Sequence, residues 1–215
     1  MREHPTARLL VEGSDDFHVV HALCKQFGID VRNLENPESG LFNVKDCKGI
    51  DKLLEMIPTQ IKVLDKIAVI IDADNEAKSN WQSVRDRFQK IGYHLPEKLD
   101  RNGCVHQENE KTIGIWIMPD NGEKGMLEDF IKFLVPDNDV LLPKAQQILT
   151  EIETENINPY VDVHKPKVLI HTWLAWQERP GTPLGQAITA KYLTTENKEL
   201  CEKFINWIKM VFEIK

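Results

Sequence analysis

Short apolar runs and amphipathic stretches alternate along the first 120 or so residues. The run at 7–11 (Ala-Arg-Leu-Leu-Val) reads as a buried strand, and the stretch 15–27 as a helix, with Ser14 as its expected N-cap and Gly28 as its stop. A second strand is expected at 41–44. A helix follows at 49–57, which Pro58 is expected to end by removing an N–H and clashing with the preceding turn. The strongest strand is 67–71 (Ile-Ala-Val-Ile-Ile), a nearly all-β-branched run typical of a parallel strand covered on both faces. A helix at 79–91 and a strand at 113–118 complete this part, and Pro119-Asp120-Asn121-Gly122 then marks a turn.

Beyond that turn the pattern becomes helical. Helices are expected at 125–135, from Asn138 or Asp139 to about 155, at 167–176, and at 198–212, where Leu200, Phe204, Trp207, Ile208 and Val211 recur at helical spacing. Residues 156–166 form a polar break, and Arg179-Pro180-Gly181-Thr182-Pro183 forms a turn. The expected organisation is an α/β core over 1–135, with a mostly parallel sheet flanked by helices, and a helical C-terminal part over 136–215 packed on it. Trp173, Trp176, Phe204 and Trp207 are expected in that packing rather than as platforms for stacked bases.

Composition narrows the classes. At 215 residues, 41% hydrophobic and 28% charged, the chain suits a globular protein with a sizeable core, and no apolar run approaches the ~20 residues of a membrane span. Met1-Arg2-Glu3-His4-Pro5 does not open a signal peptide. Four scattered cysteines argue against a zinc site or a disulfide framework and for a reducing cytoplasm. The net charge of −7 opposes tight non-specific coating of nucleic acid, but it does not exclude an enzyme whose metal reverses the local charge.

The chemistry concentrates at two strand ends. Glu12-Gly13-Ser14-Asp15-Asp16 follows the first strand, and Asp72-Ala73-Asp74-Asn75 follows the strongest one. Ligands bind at that edge of open α/β sheets, and three carboxylates there suffice to hold Mg²⁺ with water. Asp15 and Asp16 are also what a helix N-terminus favours on electrostatic grounds alone. Glu12 at a buried strand end needs a partner. Asp72 and Asp74 would face one side of an extended chain. Glu128 could supply a second carboxylate set, although an acid beside Asp129 at a helix start is also ordinary. Lys167, at the start of an apolar helix, could neutralise charge on a phosphoryl group and is a better candidate than Lys165 in the break. His18, His21 and Cys24 share a helix face, but three ligands on one helix cannot surround a zinc ion, so they read as packing and surface residues.

Glu-Gly after one strand and Asp-x-Asp after a later one resemble the Toprim domain of topoisomerases, bacterial primases, recombination-repair proteins and overcoming-lysogenization-defect nucleases. The resemblance implies a Toprim-like (Rossmann-like) fold. It puts Glu12, Asp72 and Asp74 in the places of the family's Mg²⁺-holding carboxylates, with Glu12 also a proposed general acid or base. Glu12-Gly13-Ser14-Asp15-Asp16 is similar to the family's E-G-x-x-D form, making Asp16 a further ligand or supporting group. Met118-Pro119-Asp120-Asn121 and Gly125-Met126-Leu127-Glu128 resemble segments that follow the core in small bacterial Toprim-like proteins. Tyr93, Tyr160 and Tyr192 are the only tyrosines, with nothing like the domain that carries a topoisomerase's nucleophile, and no zinc-ribbon or helicase segment suggests a primase. The expectation is therefore a Mg²⁺- or Mn²⁺-dependent phosphodiesterase on DNA or RNA, with Glu12 and Lys167 catalytic and Glu12, Asp16, Asp72, Asp74 and Glu128 on the metal. The alternative is a non-catalytic Toprim-like module binding a nucleotide, a nucleic acid or a protein partner in a defence or repair complex. Asp-x-Asp alone would also fit a dehalogenase-type phosphatase or a nucleotide-sugar transferase, but neither accounts for Glu12, and Asn75-Glu76 departs from the dehalogenase pattern.

Overall fold

The computed structural model describes residues 7–32 and 40–215; the segment Met1-Arg2-Glu3-His4-Pro5 lies outside them. Six strands form one sheet: β1 (Ala7–Val11), β2 (Val31–Arg32), β3 (Phe42–Asp46), β4 (Lys66–Asp72), β5 (Cys104–Glu108) and β6 (Lys111–Met118). Their order is β2-β3-β1-β4-β6-β5, parallel throughout except for the antiparallel β5–β6 pair. The fold is mixed α/β, a mostly parallel, Rossmann-like sheet with helices on both faces. No helix of the described residues is long and apolar enough to cross a membrane.

Alternation along the strands decides which helix covers which face. Leu9, Val11, Ala68, Ile70, Trp116 and Met118 point into one core. It is closed by α1 (Ser14–Gln26) and by helices of the second half: α4 (Leu127–Leu134), α5 (Leu141–Thr154), α6 (Lys165–Ala175), α7 (Leu184–Thr189) and α8 (Glu199–Phe212). Leu10, Ile67, Val69, Ile71, Ile113, Ile115 and Ile117 point the other way, onto α2 (Ile50–Gln60) and α3 (Ala77–Gln89). The chain leaves β1 toward β3 and returns across it to β4, so β1 and β4 flank the point where the winding reverses. Crevices form at that point, beyond the carboxyl ends of the strands.

Several boundaries depart from the sequence reading. Pro58 lies inside α2, because Ile57, Ile61 and Leu64 are all buried and their burial carries the chain on past the proline. Gly13, not Ser14, is the N-cap of α1, and the carboxylate of Asp16 reaches back to accept the Gly13 N–H at 3.2 Å. α6 starts at Lys165, whose ammonium pairs with Glu153. Trp173 and Trp207 are fully buried as expected, whereas Trp176, just past the end of α6, is 38% exposed. The strands β2 and β5 and the short α7 go beyond the elements that the sequence pattern predicts. α7 crosses α1 so closely that a Cβ on Gly185 would lie 2.6 Å from the His18 carbonyl oxygen. α8 packs against β6 at Gly114, where a Cβ would lie 2.4 Å from Cγ2 of Val211.

Candidate metal site

Glu12 follows the last residue of β1, and its Oε1 accepts the backbone N–H of Asp72, the last residue of β4, at 2.8 Å. Asp72 in turn accepts the N–H of Leu127 through Oδ1 at 2.9 Å, which ties the end of β4 to the first turn of α4. That turn carries Glu128, only 2% exposed. Asp16, at the third position of α1, is 8% exposed. Two strand ends and two helix starts thus deliver Glu12, Asp16, Asp72 and Glu128 to one crevice.

The loop after β4 is clamped rather than extended. Asp74 adopts a left-handed φ of 51°, because its N–H and C=O both pair with Gly125, at 2.8 and 2.9 Å. The expectation that Asp72 and Asp74 lie on one extended segment is therefore corrected: β4 ends at Asp72, and Asp74 stands exposed on the turn, near enough to Glu12 for its charge to act there. Asn80 donates to the carbonyls of Asp72 and Ala73 at 2.8 and 3.3 Å, closing the same loop from α3. Asn121, buried, accepts the Ile117 N–H at 2.8 Å and fixes the end of β6.

Electrostatics show how crowded the crevice is. Burial pushes Glu12 up to about 7, with the Asp74 charge adding to it and the Asp72 N–H opposing it. Burial, followed by the charge of Glu12, likewise lifts Asp16 to about 7. Burial together with Asp16, Glu12 and Glu128 raises Asp72 well above the ordinary carboxylate range. Among the described residues no lysine or arginine forms a salt bridge with Glu12, Asp16 or Asp72. Lys167 Nζ stands 3.2 Å from Glu128. Partial burial disfavours that ammonium, but Glu128, Asp15 and Asp72 outweigh the penalty and raise its pKa.

A second group touches the first. Ligand atoms of Asp15, Glu128 and His171 all lie within 4.8 Å of one another. Asp15 thus does more than begin a helix, and His171 joins it as a residue that the sequence pattern does not single out. His171 lies four residues after Lys167 on α6, hence on the same helix face, and that spacing was the available signal. His18 is exposed, His21 partly buried and Cys24 fully buried, in keeping with packing and surface roles.

The donors fit a divalent cation. Burying several carboxylates without counter-charge is costly; among the described residues the group at metal-ligand spacing is Asp15, Glu128 and His171, and Glu12, Asp16 and Asp72 share the crevice without forming such a group themselves. The imidazole of His171 beside Glu128 admits Mn²⁺ and other transition ions as well. Comparison with curated proteins and with solved structures returned no match. One family model matches residues 6–213. The chain belongs to the family described as "Protein of unknown function (DUF3226)".

Proposed function

We propose that this protein is a Toprim-type, Mg²⁺- or Mn²⁺-dependent phosphodiesterase acting on DNA or RNA. One observation carries the reading: Glu12, Asp16, Asp72 and Glu128 meet at the carboxyl edge of a parallel sheet, without enough positive charge to offset them. Glu12, Asp16, Asp72, Asp74 and Glu128 are the residues that would hold the ion. A bound divalent cation would supply Lewis-acid polarisation of a phosphate and a more acidic water.

The chain's own groups account for the rest. Without the ion, burial lifts Glu12 to about 7; a bound cation would hold it ionised, as a base able to take a proton from an attacking water. Its hydrogen bond to the Asp72 N–H holds the carboxylate in place for that transfer. Lys167, half exposed at the rim and bonded to Glu128, can turn its ammonium toward a phosphoryl oxygen and offset charge developing there.

A non-catalytic module binding a nucleotide, a nucleic acid or a protein partner in a defence or repair complex is the second reading, favoured by the Lys167–Glu128 pair, which already satisfies one carboxylate; within it the net charge of −7 favours the protein partner. Incubation with single- and double-stranded DNA and RNA in Mg²⁺ or Mn²⁺ separates the two. Turnover abolished by Glu12→Gln and by Asp72→Asn supports the enzyme. Cleavage that survives both substitutions overturns the assignment, and calorimetric cation binding without turnover supports the module.

A further inference from the structure

Glu128 Oε1 meets two side chains of α6, Lys167 Nζ at 3.2 Å and His171 Nε2 at 4.0 Å. The two lie four residues apart, so they reach this oxygen from one helix face. Asp15, in the first turn of α1, brings a third ligand atom to within 4.8 Å of those of Glu128 and His171. The ammonium of Lys167 therefore stands where α1, α4 and α6 converge. The charges of Glu128, Asp15 and Asp72 all act on it, and these are carboxylates that a cation in the crevice would also meet. Among the described residues Lys167 is the only lysine or arginine paired with Glu128.

We infer that Lys167 holds the cation's place at Glu128: the ammonium and a divalent ion exclude one another there, and binding of the ion releases the lysine to the rim, which rests on reading the crevice as a cation site. Geometry forces the exclusion. An ion coordinated by Oε1 at about 2.1 Å stands no more than about 5 Å from an ammonium 3.2 Å from the same oxygen. At that range, partly shielded from water, the two positive charges repel. The burial of the partners decides which one yields. Glu128, 3% exposed in its side chain, keeps a need for positive charge whichever cation supplies it. Lys167, 50% exposed, regains water when it leaves, and its flexible stem lets the ammonium swing out without disturbing α6. His171 and Asp15 add ligands for the ion and none for the lysine's competitor role, so the exchange favours the ion as its concentration rises. Lys167 thus sets the affinity of the crevice for cations, and it offers its ammonium to an oxyanion only after the ion has bound.

The test uses the full chain at pH 8, with Mn²⁺ affinity read from the free-ion signal in electron paramagnetic resonance. Lys167→Met removes the competitor and is expected to tighten Mn²⁺ binding about tenfold. Lys167→Arg keeps a cation beside Glu128 and should stay within about threefold of the wild type. In a Glu128→Gln background there is no carboxylate to compete for, so Lys167→Met should lose most of its effect. A second readout needs no substitution: acylation of Lys167 in the wild type by sulfo-N-hydroxysuccinimide acetate, followed by peptide mass spectrometry with and without Mg²⁺. The ion should make Lys167 react several-fold faster and leave Lys165, paired with Glu153, unchanged. Lys167→Met that binds Mn²⁺ no more tightly than a wild type that does bind it, an equal gain in the Glu128→Gln background, or acylation that the ion does not accelerate overturns the exclusion and leaves the cation site standing. Absence of Mn²⁺ binding in the wild type and in every variant removes the cation site and the role of Lys167 with it.

Discussion

Glu12 Oε1 accepts the N–H of Asp72 at 2.8 Å, joining residues sixty positions apart in sequence at the ends of two neighbouring parallel strands. The bond needs an acceptor, not a charge. Glu12→Gln keeps the acceptor and removes a carboxylate that burial already penalises. In chelator at pH 8 it should raise stability by about 1–2 kcal/mol. Glu12→Ala leaves the Asp72 N–H unpaired and should cost about 1–3 kcal/mol. Urea melts of both variants check this, and in both the stabilisation by Mn²⁺ seen in the wild type should shrink. Equal losses for Gln and Ala would mean that the charge itself is favourable there.

The raised pKa values of Glu12, Asp16 and Asp72 fix the sign of a pH effect. Each group binds its proton more tightly folded than unfolded, so its contribution to stability is fully present below the ordinary carboxylate range. That contribution fades as pH rises through the folded values, about 7 for Glu12 and Asp16. The metal-free protein should therefore lose thermal stability between about pH 5 and pH 8. Mn²⁺ should remove that slope and release protons on binding at pH 7. Melting curves across that range with and without EDTA, and calorimetry in two buffers of different ionisation enthalpy, provide the measurements. A metal-free stability that rises toward pH 8 would contradict it.

Much of this was legible in the chain. The runs at β1, β4 and β6 are apolar on both faces, so their strand character and the parallel sheet followed from pattern alone. Glu12 and the Asp72 pair stood out because carboxylates at the ends of such runs are expensive. Other features were hidden for physical reasons. β5 (Cys-Val-His-Gln-Glu) is an edge strand with polar alternation, and β2 is only two residues long, so neither carries a strong periodic signal. α7 is a six-residue helix held by packing on α1, not by its own sequence preference. The left-handed turn at Asp74 depends on Gly125, fifty-one residues later, and no local pattern reveals a pairing over that distance.

Lys167 and Glu128 are unequal partners: the carboxylate is 3% exposed in its side chain and the ammonium 50%. Removing the lysine leaves the buried acid uncompensated beside Asp16 and Asp72. Lys167→Met should cost about 1–2 kcal/mol at pH 8, less than a fully buried pair because water reaches the lysine. Glu128→Gln should cost little or be stabilising, since it relieves Asp16 and Asp72. In the double variant most of the Lys167→Met loss should disappear, a coupling readable from a double-mutant cycle. Additive effects would show that the pair does not interact in solution.

Gly114 tests how the last helix is joined to the sheet. A methyl there would meet Val211 at 2.4 and 3.0 Å and the Trp207 ring at 3.3 Å. Gly114→Ala should therefore destabilise by about 1–3 kcal/mol through overpacking, despite a φ that alanine accepts. Adding Val211→Ala makes room for the methyl and should recover part of the loss. A neutral Gly114→Ala would mean that α8 can lift from β6 at little cost.

His171 brings an imidazole to Glu128, at 4.0 Å from Nε2 to Oε1, with Asp15 completing a group whose ligand atoms lie within 4.8 Å. Oxygen-only ligands favour Mg²⁺ and Mn²⁺ alike, whereas a neutral imidazole adds affinity for Mn²⁺ and does little for Mg²⁺. His171→Ala should weaken Mn²⁺ binding by about tenfold while leaving Mg²⁺ binding within a factor of two or so, a difference of about 1.4 kcal/mol. Asp15→Asn should weaken both, because it removes charge. Calorimetric titration gives the affinities, and the loss of a nitrogen coupling from the spin-echo spectrum of bound Mn²⁺ identifies the ligand directly. An unchanged spectrum in the His171→Ala protein would leave the ion on the carboxylates alone and His171 as a surface partner of Glu128.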